Sequence, residues 1–114
     1  MEKHQLEKFY QLVGKKITVA RKRRGKDITQ EDLAKGIGIS RTSVVNIEKG
    51  RQRPSLHLLW NIGQFLEVDV INLIPTKREL TPAETQSKLV ELINNNPNIS
   101  LEEKERLISL TNQL

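Results

Sequence analysis

The sequence has no cysteine, only two histidines and no long apolar run. Without thiols there is neither a disulfide framework nor a thiolate zinc site, and His4 and His57 stand too far apart in sequence to suggest a metal pair. No stretch approaches the roughly 20 apolar residues of a membrane helix. The opening segment MEKHQLEKFY also lacks the apolar core of a signal peptide. We therefore expect a protein of the cytoplasm that carries no metal.

The charge is divided unevenly along the chain. Residues 1–54 carry fourteen Lys or Arg against six Asp or Glu, whereas residues 55–114 carry five against eight. A basic half suits a polyanion such as DNA, through counterion release and electrostatic steering. Charge alone is equally compatible with a solvated basic face that binds nothing, so the positions of the charges must decide.

A first helix is predicted by apolar residues that recur at spacings of three and four. It extends from about residue 3 to Arg24, and Gly25 marks its end. The residues of its apolar stripe are Leu6, Phe9, Tyr10, Val13, Ile17 and Ala20. We expect this stripe to face the core.

Two short helices follow, each with a capping residue at its start. Thr29 can cap a helix of about two turns that starts at Gln30 and is broken by glycine residues 36 and 38. Ser40 can cap a second helix in the segment RTSVVNIEKG, with Gly50 as its C-terminal stop. In this second helix Val44 and Ile47 lie three apart and define the buried face, so the opposite face is polar.

Two more helices complete the first part of the chain. Pro54 and Ser55 begin the segment LHLLWNIGQFLEV, which is apolar nearly all round and is therefore expected to be buried on most sides. Asp69 is expected to cap the short run VINLI, which Pro75 ends. Residues 1–75 are thus predicted to form an all-α, five-helix domain.

Residues 76–114 are predicted to form a separate helical hairpin. Charged residues replace the apolar run at TKREL, which marks the boundary. The segments 81–84 (TPAE) and 100–103 (SLEE) have the form of capping boxes, and the helices that they open are separated by a break at residues 94–98. The apolar stripes exceed what a hairpin can bury alone, which favours an oligomerisation or partner-binding element. Packing back onto residues 56–74 is the alternative.

A short helix, a glycine-bearing turn and a second short helix with a polar outer face are the arrangement of a helix-turn-helix. Residues 13–74 resemble the Cro/repressor-type, Xre-like helix-turn-helix family through VGKKITVARKRRG, ITQEDLAKGIGIS, VVNIEKGRQRPS and LLWNIGQFLEVDVINLI. The segment KDI between Gly25 and Thr29 is slightly longer than in many members. The resemblance implies a repressor-like DNA-binding domain in a bacterial or phage-type regulator.

The resemblance places base-reading residues on the outer face of the second short helix, at Arg41, Thr42 and Asn46. Their chemistry fits this role, because arginine pairs with guanine, asparagine pairs with adenine, and the threonine methyl group can touch thymine. The alternative is a solvated helix face.

The expected phosphate contacts surround this helix. Gln30 matches the family glutamine that binds a phosphate and supports the reading helix, although a polar residue there is also a good helix start. The short hydroxyl of Ser43 reaches the DNA backbone more easily than a base. Three cations of the exit loop, Lys49, Arg51 and Arg53, are expected to anchor a second phosphate cluster as a group, although each alone could be solvent charge. The RKRR run at residues 21–24 has a simpler role in stabilising a helix C-terminus, so only part of it need touch DNA.

Glu48 argues against a generic basic patch, because a carboxylate that faced DNA would repel phosphates. In the family the matching glutamate pairs with an arginine of the first helix, which here is Arg21. Trp60 is expected to pack in the core or in a dimer, because it lies within an apolar helix.

These observations predict a sequence-specific regulator, expected to be a repressor, that binds an inverted-repeat operator in double-stranded DNA as a homodimer. Residues 77–114 could extend the dimer to a higher oligomer or take a protein antagonist. The alternative is an interaction module, such as an antitoxin or a bridging factor, whose helix-turn-helix docks a protein. No motif for catalysis or for a cofactor is present, so no enzyme activity is expected.

Overall fold

The computed structural model of the chain describes residues 1–24, 28–81 and 83–111, with the backbone alone for residues 83–87 and 111. Regular secondary structure in this part of the chain is entirely helical. The helices are α1 (Lys3–Arg24), α2 (Gln30–Ile37), α3 (Arg41–Glu48), α4 (Leu56–Leu66), a 3-10 helix (Val70–Leu73), α5 (Lys77–Leu80), α6 (Ala83–Asn94) and α7 (Leu101–Thr111). Contacts divide the chain into two units, Met1–Pro75 and Thr76–Leu114.

The first unit has one apolar core to which each of its helices contributes. Val13 and Ile17 of α1 are essentially inaccessible to solvent, as are Val44 and Ile47 of α3. The other buried members are Leu33, Ala34, Leu59, Ile62, Leu66 and Leu73. The predicted buried face of α3 is therefore correct, and the remaining face of this helix is available for a ligand.

Local capping fixes where α2 and α3 begin and end. The Thr29 hydroxyl accepts from the backbone N–H of Asp32 at 3.1 Å, and the Asp32 carboxylate accepts from the backbone N–H of Thr29 at 2.9 Å. The latter hydrogen bond lowers the pKa of Asp32 below its ordinary value. Gly38 ends α2 with a φ of 75°, a conformation that glycine adopts without steric cost. Ser40 caps α3 through the N–H of Ser43. The predicted caps at residues 29 and 40 are confirmed.

Helix α1 passes very close to the C-terminal end of α3. A Cβ atom at Gly14 would collide with the carbonyl oxygens of Ile47 and Glu48, and it would lie 2.6 Å from the carbonyl carbon of Glu48. Only glycine permits this approach, since any side chain would push the two helices apart. The position of α3 is therefore set directly against the backbone of α1.

Two expectations for the end of the first unit are wrong. Helix α4 is not buried on most sides: Leu56 is 73% exposed and Trp60 is 51% exposed, so Trp60 is not a core residue of this chain. The fifth helix is present, as a 3-10 helix, but the side chain of Asp69 does not make the expected capping hydrogen bond to it. A four-residue segment can bury Leu73 in this tighter form without a full α-helical turn.

The second unit contains one helix that the sequence reading did not anticipate. Thr76 and Glu79 form a capping box that starts α5, where only a boundary was expected. Helices α6 and α7 contact each other, and the Lys104 ammonium donates to the carbonyl of Asn94 at 2.8 Å. The predicted capping box at Ser100 and Glu103 is present at the start of α7. The box expected at residues 81–84 lies partly outside the described residues.

Apolar side chains remain exposed in the second unit. They are Leu92, Leu101, Leu107 and Leu110. A hairpin of two short helices has no second layer against which to bury both sides. Within the described ranges, no helix is both long enough and apolar enough to cross a membrane.

Candidate nucleic-acid interface

Helix α3 has one face in the core, and its outer face carries polar side chains together with the partly exposed Val45. Arg41 and Thr42, at its N-terminal end, are exposed, while Asn46 is half-buried one turn later. The carbonyl oxygen of Asn46 accepts from the backbone N–H groups of Arg51 and Gln52, which folds the following loop back onto the helix end. Arg41 and Thr42 are thus the freest side chains of the predicted reading set.

Ser43 is tied into the cap of α3. Its backbone N–H donates to the Ser40 hydroxyl oxygen, and the Ser40 hydroxyl donates to the Ser43 hydroxyl oxygen, both at 3.0 Å. The Ser43 hydroxyl keeps its own proton for a further acceptor. This arrangement is compatible with the predicted phosphate contact.

Glu48 lies at the centre of a buried polar network. The Arg21 guanidinium donates twice to its carboxylate, from Nε to Oε2 at 2.9 Å and from Nη2 to Oε1 at 3.1 Å. The Gln30 amide donates to Oε1 at 3.0 Å. The Arg21 and Glu48 side chains are only 11% and 5% exposed. The network therefore ties the C-terminal end of α3 to both α1 and α2, and it neutralises the one carboxylate of α3.

The basic run at the end of α1 is divided among several roles. Arg21 points into the network and also donates from Nη1 to the Ile28 carbonyl at 3.0 Å. Arg24 forms an exposed ion pair with Glu67 at 3.0 Å. Lys22 lines an open cleft together with Arg21, Ile28, Thr29, Gln30, Glu31 and Arg41. Lys22 is exposed and lines this cleft with Arg41 of the predicted reading helix, whereas Arg21 lines it with a side chain that is committed to Glu48.

The exit loop presents three exposed cations, Lys49, Arg51 and Arg53. The guanidinium carbon of Arg53 lies 5.1 Å from the centroid of the Tyr10 ring, which is a cation–π distance. Sequence reasoning assigned Tyr10 to the core stripe of α1, but the residue is only half-buried. No local signal links residues 43 positions apart, so the contact appears only in the fold.

The described residues contain no cluster of three or more His, Cys, Asp or Glu side chains that could hold a metal ion. Every buried side-chain nitrogen or oxygen in the same part of the chain has a hydrogen-bond partner. The polar chemistry of the first unit is therefore concentrated in the Glu48 network and on the surface around α3.

Comparison with known proteins places this geometry in context. A helix-turn-helix family model matches residues 19–71. An uncharacterized HTH-type transcriptional regulator of Methanocaldococcus jannaschii is 48% identical over 44 residues, which is 39% of this chain and 67% of the relative. The uncharacterized HTH-type transcriptional regulator y4dJ of Sinorhizobium fredii is 34% identical over 67 residues, which is 59% of this chain and 86% of the relative.

Another relative is matched over only part of its length. The HTH-type transcriptional activator BcrR of Enterococcus faecalis is 35% identical over 66 residues, 58% of this chain, and the match spans only 32% of its own length. No solved structure matches the chain significantly. The matched family is a helix-turn-helix family, and these relatives are named as HTH-type regulators or activators of transcription. This chain belongs to the Xre-like helix-turn-helix family of transcriptional regulators.

Proposed function

We propose that this regulator is a repressor that reads a specific operator with α3 in the major groove. One observation carries the proposal: α3 has exposed side chains at its N-terminal end, Arg41 and Thr42, and a buried carboxylate, Glu48, at its C-terminal end. A reading helix must be held rigidly if its side chains are to distinguish bases. Arg41 would pair with guanine, Thr42 would contact a thymine methyl group, and Asn46 would pair with adenine.

The surrounding polar groups would fix the register of α3 on the DNA backbone. Gln30 donates one amide hydrogen to Glu48, and among the described residues its second amide hydrogen has no acceptor, which leaves it for a phosphate. Further phosphate contacts would come from Ser43 and from the exit-loop cations Lys49, Arg51 and Arg53. Contacts of this kind position a protein without carrying sequence information.

A homodimer on an inverted-repeat operator would recognise twice as many base pairs as a single eight-residue helix can. Leu56 and Trp60 lie one turn apart on α4 and are exposed, which supports this face as the contact with a second copy. The exposed leucines of α6 and α7 support an additional contact that would build a higher oligomer or take a protein antagonist.

The reading role is tested by comparing Arg41→Ala with Arg51→Ala in titrations of a selected operator duplex and of random duplexes. Arg41→Ala should weaken operator binding by about 5- to 150-fold and relax the preference at one base position, since a bidentate base contact contributes about 1–3 kcal/mol. Arg51→Ala should weaken binding to both duplexes by the same factor. Equal losses on both duplexes for Arg41→Ala would remove it from the reading set.

The homodimer is tested by the mass of the full chain in solution, measured by analytical ultracentrifugation. Trp60→Ser should convert the dimer to a monomer, while Leu110→Ser should remove only assembly beyond the dimer. Both side chains are substantially exposed, so neither substitution should unfold its unit. A monomeric wild-type chain, or a dimer that neither substitution affects, would contradict the proposed interfaces.

The direction of regulation is tested with a reporter gene whose promoter overlaps the selected operator. A dimer bound there should block access of the polymerase and lower the reporter output. A rise in output on adding the protein would instead make it an activator, as the enterococcal relative is named.

A further inference from the structure

The N-terminal half of α1 lies against the loop that follows α3. Tyr10 contacts Arg53, and the backbone of Gln11 lies so close to Gly50 that a Cβ atom at Gly50 would be 2.8 Å from the Gln11 Cα. Gly50 itself has a φ of 77°. This part of α1 precedes residues 19–71, which match the family model, so the extension adds a contact to the shared helix-turn-helix.

The Tyr10 ring packs against the ring of Phe9, its neighbour in α1. Phe9 packs against the apolar core, and its ring meets the Tyr10 ring edge to face, with centroids 5.2 Å apart and planes at 75°. Both residues lie in the interior of a 22-residue helix, where few rotamers are allowed. Tyr10 therefore offers a rigid aromatic face at the surface beside the exit loop.

Arg53 is exposed, and none of the ion pairs among the described residues involves it. A guanidinium attracted to an aromatic ring still has N–H groups available for a phosphate, because it has five donors. A long side chain that is already oriented also loses less rotamer entropy when it binds. The ring contact can thus prepare Arg53 without using all of its donors.

We propose that Tyr10 is a positioning residue that holds Arg53 in place to bind a phosphate of the DNA backbone. The inference rests on the proposed function, since it requires that the protein binds duplex DNA. It gives the N-terminal extension of α1 a part in DNA affinity, although the extension is not part of the reading helix.

The test is a double-mutant cycle on the full chain, with the dissociation constant for a selected duplex measured by fluorescence anisotropy at several salt concentrations. Tyr10→Leu should weaken binding by about 2- to 10-fold, the range expected when one long side chain must be ordered on binding, and Tyr10→Phe should restore it. Arg53→Ala should reduce the slope of log affinity against log salt by about 0.9, the amount for one phosphate contact. In the Arg53→Ala background, Tyr10→Leu should have no further effect.

Arg51→Ala provides the matched control, because Arg51 is a second exposed cation of the same loop. The effects of Tyr10→Leu and Arg51→Ala should be independent and multiply. A purely structural effect of Tyr10→Leu would persist in the Arg53→Ala background, and that outcome would overturn the proposal. If the wild-type chain binds the duplex while this coupling is absent, only this inference fails. If the wild-type chain binds no duplex, the proposed function fails together with this inference.

A second measurement does not depend on the stability of the Tyr10→Leu variant. In the DNA-free wild-type protein, the side-chain protons of Arg53 should show NMR shifts displaced by the Tyr10 ring current, and Tyr10→Phe should keep the displacement. Random-coil shifts for Arg53 in the wild-type protein would also overturn the proposal.

Discussion

Removal of the Glu48 carboxylate should destabilise the first unit more than removal of any exposed ion pair. Glu48 is 5% exposed, and its carboxylate accepts two hydrogen bonds from Arg21 and one from Gln30. Glu48→Ala would leave the Arg21 guanidinium, itself 11% exposed, without its counter-charge. Breaking a buried pair in this way costs about 3–5 kcal/mol. This loss is a large share of the stability of a small domain.

The assay is urea denaturation of the full chain followed by far-ultraviolet circular dichroism. With a typical urea dependence of about 2 kcal/mol per molar, Glu48→Ala should lower the midpoint by about 1.5–2.5 M. Glu48→Gln should show an intermediate loss, because it retains an acceptor oxygen but not the charge. An Arg21→Met, Glu48→Leu double variant should recover part of the loss, since the unpaired buried charge is gone.

Arg24→Ala is the matched control because it breaks an ion pair whose side chains are 41% and 67% exposed. Such a pair contributes only about 0–1 kcal/mol. If Glu48→Ala cost no more than Arg24→Ala, the buried network would not be the anchor of α3. The reasoning from burial would then be refuted.

Three other substitutions test the packing and capping of the same unit by denaturation. Gly14→Ala should destabilise it by about 1–3 kcal/mol, because the new methyl group meets the α3 backbone. An unchanged free energy of unfolding would mean that α1 and α3 are farther apart. Glu67→Gly should leave the stability unchanged or raise it by about 1 kcal/mol. Glu67 has a φ of 57°, a strained conformation that glycine adopts freely, and only an exposed ion pair is lost. A clear loss of stability would count against strain at this position. Because the folded pKa of Asp32 is lowered, its contribution to stability is present above the unfolded pKa and is lost as the pH falls through the folded pKa. Asp32→Asn should therefore flatten the acid limb of a stability–pH curve, and an unchanged limb would contradict this.

Much of the first unit could be predicted because its helices have strong local signals. The apolar spacing and the capping residues give the bounds of α1 and the first residues of α2 and α3 as the structure has them. The ends differ, since α2 continues through Gly36 to Ile37 and α3 ends at Glu48, before Gly50. The type of the fifth helix was harder to predict, because four residues carry too little periodicity to distinguish a 3-10 helix from an α-helix. Helix α5 was not predicted, although its capping box, Thr76 and Glu79, is visible in the sequence. The change in composition at the same residues was interpreted as a boundary instead.

The exposure of Leu56 and Trp60 could not be read from the sequence, because an apolar residue on an apolar helix looks the same whether it meets the core or solvent. The contact between Tyr10 and Arg53 joins distant segments and depends on how α1 packs. The pair of Arg21 and Glu48 was expected only through the family resemblance. Its geometry, together with the Gln30 hydrogen bond to the same carboxylate, comes from the structure.

Binding-site selection from random duplexes, carried out in parallel with the wild-type chain and Arg41→Ala, tests the central claim most directly. The account predicts that the wild-type chain enriches an inverted repeat with half-site centres about 34–36 Å apart, one turn of DNA. The Arg41→Ala chain should enrich the same repeat with one base position per half-site relaxed. Enrichment of no sequence by the wild-type chain, or of an identical sequence by both chains, would contradict the assignment of α3 as the reading helix.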